Sequence, residues 1–441
     1  MMRLDALLDA LLGAASALSP EEVALRDHSF RALLGRRLAA SVSAAFDLPR
    51  VDVSAMDGWA VRSGDIATAA AGGAVALQVV GDASAGRDAA ALTVANGTCV
   101  RIATGAPIPR GADAVVAVES TSLEDPRRGA KLLERTPDAL PSEVWFSSQV
   151  LPGAAIRRRG EDVRTGALLL HDGTVLDPAA IAVLAASGAE RVSLHRRPRV
   201  VILCSGEEIG AQADATVAIP DSNGPMLEAL VVAAGGTVVA RRQVGDSRTE
   251  ARAVVREAVT ACDLLVTSGG VSVGAHDHME AALGEHFDTV VHRVAIQPGK
   301  PLFVGAGRGP PGAAWAVGLP GNPVSAFVTA TLVAIPLLRT LAADPSPTER
   351  LRGRLAAPLA SPVGRRSFPR LTAHRDDDGW PRRDADGMLL VWPLEEQGSH
   401  QVSSLGRADY LGDIPEECEH LSSGDAIELI PLPRATRRSA R

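Results

Sequence analysis

Apolar positions in the first 48 residues recur at helical spacing. Ala and Leu dominate the run LLDALLGAASAL, and Asp5 and Asp9 interrupt it four residues apart. That pattern predicts an amphipathic helix, with Ser19-Pro20-Glu21-Glu22 read as a cap. The pattern then changes. From Val75 to Val118 short Val-rich runs (AVALQVV, TCVRIA, AVVAVE) are separated by Gly, Asp and Pro, which predicts a β-rich region with turns. Residues 121–141 are polar and irregular and read as a solvated loop. A mixed stretch follows from Leu151 to Leu194, with a helix predicted over Pro178–Ser187. From Pro198 the chain alternates. RVVILCSG (199–206) reads as a buried parallel strand, and TVVARRQV, DLLVTS (263–268) and AAWAVGL (313–319) read as further strands. Asn223–Ala234, Arg248–Ala261 and an apolar segment running to about Leu341 read as helices. Gly235-Gly236 is a helix stop. This βα rhythm implies an α/β class with a mostly parallel sheet and helices on its faces. From about Glu349 short apolar runs with Pro and Gly imply a small β-rich domain, and RATRRSAR at the end reads as a disordered basic tail.

Composition narrows the classes. At 441 residues the chain is long enough for about three domains. Aromatics are only 3%, so the cores must be built from Ala, Val and Leu. A net charge of −7 argues against a general nucleic-acid binder, which needs a basic footprint. Cys99, Cys204, Cys262 and Cys418 are far apart, so no CxxC or zinc spacing exists. They are expected as isolated thiols in a reducing cytoplasm. No stretch of about 18 uncharged apolar residues suggests a membrane span, and the N-terminal run does not read as a signal peptide.

Ligands of parallel α/β sheets bind outside the carboxyl ends of the strands. Two unusual segments are predicted there. In Thr267-Ser268-Gly269-Gly270-Val271-Ser272-Val273-Gly274, three glycines and two serine hydroxyls follow a buried strand. Glycine permits positive φ, so successive N–H groups can surround an anion. An ordinary strand-to-helix turn rarely needs three glycines. In Leu319-Pro320-Gly321-Asn322-Pro323-Val324-Ser325-Ala326, Pro323 opens a helix whose N-terminus suits phosphate. Alone it reads equally as a well-capped core helix. Carboxylates gather nearby in sequence: Glu207, Glu208, Asp221, Asp246 and Asp277. Around a phosphate they would repel it unless a hard cation bridged them, and Mg²⁺ is the natural bridge. His276 and His278 flank Asp277, a pattern that more often faces solvent than binds a transition metal. Arg293 and Gln297-Pro298-Gly299-Lys300-Pro301 offer cations, although a lysine on a Pro-Gly turn is also an ordinary surface feature. Ser54-Ala55-Met56-Asp57-Gly58-Trp59-Ala60-Val61 and Arg101-Ile102-Ala103-Thr104-Gly105-Ala106-Pro107-Ile108-Pro109 read as either catalytic parts or domain contacts.

Together with RRRGED (157–162), CSGEEI (204–209), DSN (221–223) and QGSH (397–400), these segments run along nearly the whole chain. In that order they resemble the molybdopterin molybdenumtransferase family, which completes molybdenum cofactor synthesis and is related to the C-terminal domain of gephyrin. The resemblance implies a multidomain α/β protein. A three-layer α/β molybdopterin-binding domain with a mostly parallel sheet would span 198–343. A β-rich insert would span 49–148, and a discontinuous N-terminal linker and dimerisation domain 1–48 plus 149–197. A C-terminal β-barrel would span 344–436, with 437–441 as tail. The implied reaction takes adenylylated molybdopterin and molybdate, uses Mg²⁺ to assist adenylate cleavage, releases AMP and leaves molybdenum on the pterin dithiolene. The implied partners are small molecules, a second copy of the chain and the molybdopterin adenylyltransferase of the preceding step.

By the same resemblance, Asp57 and Thr104 belong to the active cleft, reached from the partner subunit, and Asp162 supports that region. Glu208, Asp246 and Asp277 handle Mg²⁺ and the phosphates. Arg293, Lys300, Arg370 and Ser399 hold molybdate or phosphate. Ser268, Gly269, Gly270, Ser272, Gly274, Asp221, Pro320, Gly321, Asn322, Pro323 and Ser325 surround the pterin ligand. Three departures stand out: Gln297 where many relatives have Lys, Trp59 for a usual Tyr, and Ser205-Gly206-Glu207-Glu208 for a usual Thr-Gly-Asp-Glu. The alternatives are a molybdopterin adenylyltransferase, a non-catalytic scaffold and a tungsten-inserting relative.

Overall fold

The structure is a computed structural model that describes residues 1–26, 30–87, 91–205, 220–245, 247–270, 278–308, 314–344 and 346–432. The chain forms two compact units, one of residues 1–23, 33–39 and 193–441 and one of 24–32 and 40–192.

The first unit contains the α/β sheet. Its strands are β1 (Arg199–Ser205), β2 (Thr237–Val244), β3 (Leu264–Ser268), β4 (Phe287–Arg293), β5 (Pro301–Gly307) and β6 (Trp315–Leu319), in the order β2-β1-β3-β6-β5-β4. The β1–β2, β1–β3 and β3–β6 pairs are parallel, while β5 runs antiparallel to both β6 and β4. Alternation along the strands feeds two cores, as strand geometry requires. Val200, Ile202, Leu264, Val266, Val317 and Leu319 face one helical layer. Val201, Leu203, Leu265 and Ala316 face the other. The three-layer reading of the sequence is therefore borne out.

The first layer holds α1 (Leu4–Ala14), α2 (Asn223–Ala233) and an apolar helix of 19 residues, Pro323–Leu341. The second holds α3 (Arg248–Ala261) and α4 (His278–Gly284). The long helix comprises α5 (Pro323–Thr329), a π-helical turn (Ala330–Ala334) and α6 (Ile335–Leu341). Pro336 lacks the N–H that would bond back to Leu332, which accounts for the irregular turn. Length and composition alone would let this helix cross a membrane, but 78% of it is buried in the core.

α1 buries Leu4, Leu7 and Leu11 at 3- and 4-residue spacing, and those leucines belong to the α/β core. The amphipathic prediction holds for residues 4–14 but not for all of 1–48. Glu21–Ala24 is a strand, with Val23 and Leu25 buried and both glutamates exposed. The Ser-Pro-Glu-Glu cap signal is overridden by this period-2 burial.

The C-terminal part of the same unit closes into a barrel. Its strands β7 (Leu351–Leu355), β8 (Arg370–Ala373), β9 (Leu389–Pro393), β10 (Tyr410–Asp413) and β11 (Ala426–Pro431) follow the order β7-β9-β8-β10-β11. Leu371, Val391, Tyr410, Ile427 and Leu429 fill it.

The second unit contains a six-stranded sheet ordered Ala114–Ala117, Gly58–Val61, Thr98–Ile102, Val75–Ala83, Glu143–Phe146, Thr121–Ser122. The Val-rich runs are strands, as expected. The strand Gly58–Val61 lies inside SAMDGWAV, a segment whose pattern does not predict a strand. Gly58 sits so close to its neighbour strand that a Cβ would lie 2.0 Å from the Val116 carbonyl oxygen. Trp59 is fully buried and its Nε1 donates to Thr121 Oγ1 at 3.1 Å. This departure is therefore a core residue of the second unit's sheet.

Candidate functional site at the carboxyl edge of the sheet

β3 ends in Ser268, and the chain leaves it through Gly269 and Gly270 at φ values of 82° and 69°. Such backbone favours glycine. Gly269 also has no room for a side chain, because a Cβ would lie 2.4 Å from the Ser205 carbonyl oxygen. Gly269 N donates to Leu319 O at 3.1 Å, and a Cβ on Gly321 would lie 3.7 Å from the Gly269 Cα. The two glycine loops predicted from sequence thus meet at one edge of the sheet.

Asn223 joins them. Its Nδ2 donates to Ser268 Oγ at 2.8 Å and to Gly321 O at 2.7 Å. Sequence reasoning quoted Asn223 in DSN but gave it no role. Only the fold shows that the start of α2 falls between the loops. Its neighbour Asp221 accepts from Gly224 N at 2.8 Å and faces Arg241 at 3.9 Å. Asp221 therefore serves as a helix cap, the ordinary role for such an Asp.

The barrel supplies the next wall. Val324 N at the start of α5 donates to Ser399 O at 3.0 Å, and Asn322 Nδ2 donates to Ser399 Oγ at 3.1 Å. One N–H of the helix N-terminus is thus used by the QGSH loop. Ser325 in the same turn is buried. Beneath that loop lies Arg370, which is 0% exposed. Its Nη2 donates to Glu396 O at 2.6 Å and Gly398 O at 3.3 Å. Its Nε and Nη1 are buried with no partner. Burial pushes the guanidinium down to about 10, an effect that the nearby Glu396 charge opposes. A desolvated cation with unpaired donors is suited to receive an oxyanion.

Gly299 of QPGKP has φ 113°, and a Cβ there would meet Thr329 Cγ2 at 2.4 Å and Ser325 O at 3.7 Å. That contact seats the loop against α5. Lys300 and Gln297 are exposed on it, and Arg293 is exposed at the end of β4, paired in register with Pro301. The fold therefore gathers Ser268, Gly269, Gly270, Pro320, Gly321, Asn322, Pro323, Ser325, Ser399 and Arg370 within a connected set of loops. Lys300 belongs to the neighbouring loop, and Arg293 to the strand paired with it. Glu208, Asp246, Asp277, Ser272 and Gly274 lie outside the described residues. In sequence the three carboxylates follow β1, follow β2 and precede α4. Among the described residues no group of three His, Cys, Asp or Glu could hold a metal ion.

The second unit carries the other pair. Asp57 is exposed, and its Oδ1 accepts from Thr104 N at 2.7 Å and Thr104 Oγ1 at 2.8 Å. The backbone bond and then the hydroxyl bond hold its carboxyl below the usual range. Ser54 O accepts from Gly105 N at 2.9 Å, so SAMDG and ATGAP clasp each other. Asp162 is exposed, and its backbone N donates to Leu48 O at 3.0 Å. Two of the basic residues before it are paired, Arg158 to Asp52 at 2.7 Å and Arg159 to Asp47 at 2.5 Å.

Three family models match the chain. They are described as the MoeA N-terminal region (domain I and II) over residues 2–188, a probable molybdopterin binding domain over 201–340, and the MoeA C-terminal region (domain IV) over 352–432. A molybdopterin molybdenumtransferase 2 of Mycobacterium tuberculosis is 36% identical over 408 residues, covering 90% of this chain and 93% of that protein. A molybdopterin molybdenumtransferase of Nostoc is 36% identical over 414 residues, covering 90% of this chain and 87% of its own. The crystal structure of a molybdopterin biosynthesis moeA protein from Pyrococcus horikoshii superimposes with a TM-score of 0.74 at 27% identity, covering 98% of this chain and 99% of that one. With matches of this length at both levels, the chain belongs to the molybdopterin molybdenumtransferase family.

Proposed function

We propose that the protein is a molybdenumtransferase that inserts molybdenum from molybdate into adenylylated molybdopterin, with release of AMP. The observation that carries this reading is the meeting of four loops: TSGG, PGNP and QPGKP of the α/β sheet, and QGSH of the barrel. Their contents divide the labour. Backbone around Gly269, Gly270 and Gly321 can approach a phosphate closely because no side chain intervenes. Asn322, Ser399 and the buried Arg370 offer polar donors to an oxyanion, and Lys300 and Arg293 add exposed positive charge. Gln297 brings no charge, so Arg370 carries more of that task here.

Insertion at the two dithiolene sulfurs of the substrate requires no protein thiolate. The chemistry of the cysteines fits: burial pushes Cys99, Cys204 and Cys262 each up to about 12, which keeps them as thiols. Glu208, Asp246 and Asp277 would offer oxygen donors of the kind a hard cation takes. A Mg²⁺ held by them would neutralise phosphate charge. Asp57, kept ionised by Thr104, belongs to the same reaction as the contribution of a second copy of the chain. The adenylyltransferase of the preceding step is the natural source of the substrate, and the cytoplasm the natural site of the reaction.

The test is reconstitution. Purified protein with adenylylated molybdopterin, Mg²⁺ and molybdate is expected to yield AMP and a cofactor that activates an apo-molybdoenzyme. Absence of both products would refute the reading, and tungstate in place of molybdate would report the metal preference.

A further inference from the structure

Asn223 is the first residue of α2 and only 5% exposed. Its two Nδ2 hydrogens go to two different loops, one to Ser268 Oγ and one to Gly321 O. Both partners require a donor. A carbonyl can only accept, and the Ser268 hydroxyl is directed toward Pro320 O at 3.4 Å. The orientation of the amide is therefore set, although it leaves Oδ1 buried without a partner among the described residues. Flipping the amide would set Oδ1 against the Gly321 carbonyl and lose the bond to it. A buried polar atom left unmatched in this way is uncommon and calls for a reason.

The loops themselves supply one. Gly269, Gly270 and Gly321 have no side chains with which one loop could hold the other. Gly269 N to Leu319 O ties the loops at their bases. The Asn223 amide adds a second tie, to Ser268 at the end of β3 and to Gly321 in the other loop. We infer that Asn223 is a positioning residue that sets the separation of the two glycine loops, and with it the fit of the phosphate-bearing pterin. The inference rests on the ligand proposed above. It requires asparagine: an aspartate carboxylate offers no hydrogen to either acceptor, and a protonated aspartic acid offers one.

That chemistry defines the experiment. Wild type, Asn223→Asp and Asn223→Ala are compared at each pH between 5.5 and 8, with molybdopterin as the binding probe. Hydrogen exchange of the peptides covering 264–270 and 319–325 is followed without ligand. At pH 8, N223D is expected to bind about ten- to a hundredfold more weakly than wild type, the range for two lost hydrogen bonds. The deficit should narrow as pH falls, because burial beside two acceptors raises the acid's pKa and the neutral form regains a donor. N223A should show a deficit that does not change with pH. Both variants should exchange faster in both loops at pH 8. A folded N223A that binds within twofold of wild type with unchanged exchange overturns the inference, as does an N223D deficit that is flat with pH. Loosened loops in a protein whose wild type binds no molybdopterin would leave the clasp standing and overturn the ligand. If neither variant folds, Ser268→Ala, which removes one acceptor, is expected to weaken binding by roughly three- to tenfold, and unchanged binding there overturns the inference.

Discussion

Replacing Arg370 with Met tests the buried cation at the centre of the proposed site. The side chain is wholly inaccessible, and burial lowers its pKa well below the usual guanidinium value, to about 10. Such a shift corresponds to roughly 3 kcal/mol of penalty on the charged form, yet at neutral pH the group stays charged. Two carbonyl bonds offset that cost, while Nε and Nη1 have no partner. Met fills similar volume, removes the desolvation penalty and gives up the two bonds. The ligand-free stability of R370M is therefore expected within about 2 kcal/mol of wild type, since exchanging a buried charge for an apolar group is often near neutral. The oxyanion response should differ completely. Molybdate at a hundred times its dissociation constant should stabilise wild type by about 2.7 kcal/mol and leave R370M unmoved. Denaturant unfolding with and without molybdate measures both quantities. A variant that keeps the molybdate effect, or loses more than about 4 kcal/mol without ligand, would show that Arg370 is a structural strut.

Two further outcomes are expected. Thr104→Val removes the hydroxyl bond to Asp57 and keeps the backbone bond, so the Asp57 pKa should rise. The native carboxyl is held low, so the contribution of its ionised form is present above the unfolded pKa and lost as pH falls through the lower native value. The acid limb of the activity profile should move to higher pH in T104V, and a carboxyl NMR titration that shows no change would refute the assignment. Gly58→Ala forces a Cβ to within 2.0 Å of Val116 O, so the insert should lose about 3 kcal/mol or more in chemical unfolding; unchanged unfolding would show that the strands part easily.

Local pattern was enough for much of this protein. Four of the six strands of the α/β sheet are legible because apolar runs mark them, and most of its helices carry their own stops, but β4, β5 and α4 carry no such signal. TSGG announced itself because positive φ at Gly269 and Gly270, and close packing at Gly269, leave few choices besides glycine; PGNP stood out through a proline at a helix start. At the N-terminus, local pattern fell short. A Ser-Pro-Glu-Glu segment has the composition of a helix cap, and only the burial of Val23 and Leu25 makes it a strand. Trp59 is, in the sequence, only one aromatic in place of another, and packing places it in a core. Tertiary structure alone decided which distant segments touch: Asn223 between two glycine loops, Ser399 on the helix start at Val324, and Asp57 against Thr104. Those contacts depend on where strands lie in the sheet and how the barrel docks, and no periodicity within a segment encodes them. The orphaned donors of Arg370 belong to the same class, because a sequence records the charge of an arginine and not whether water reaches it.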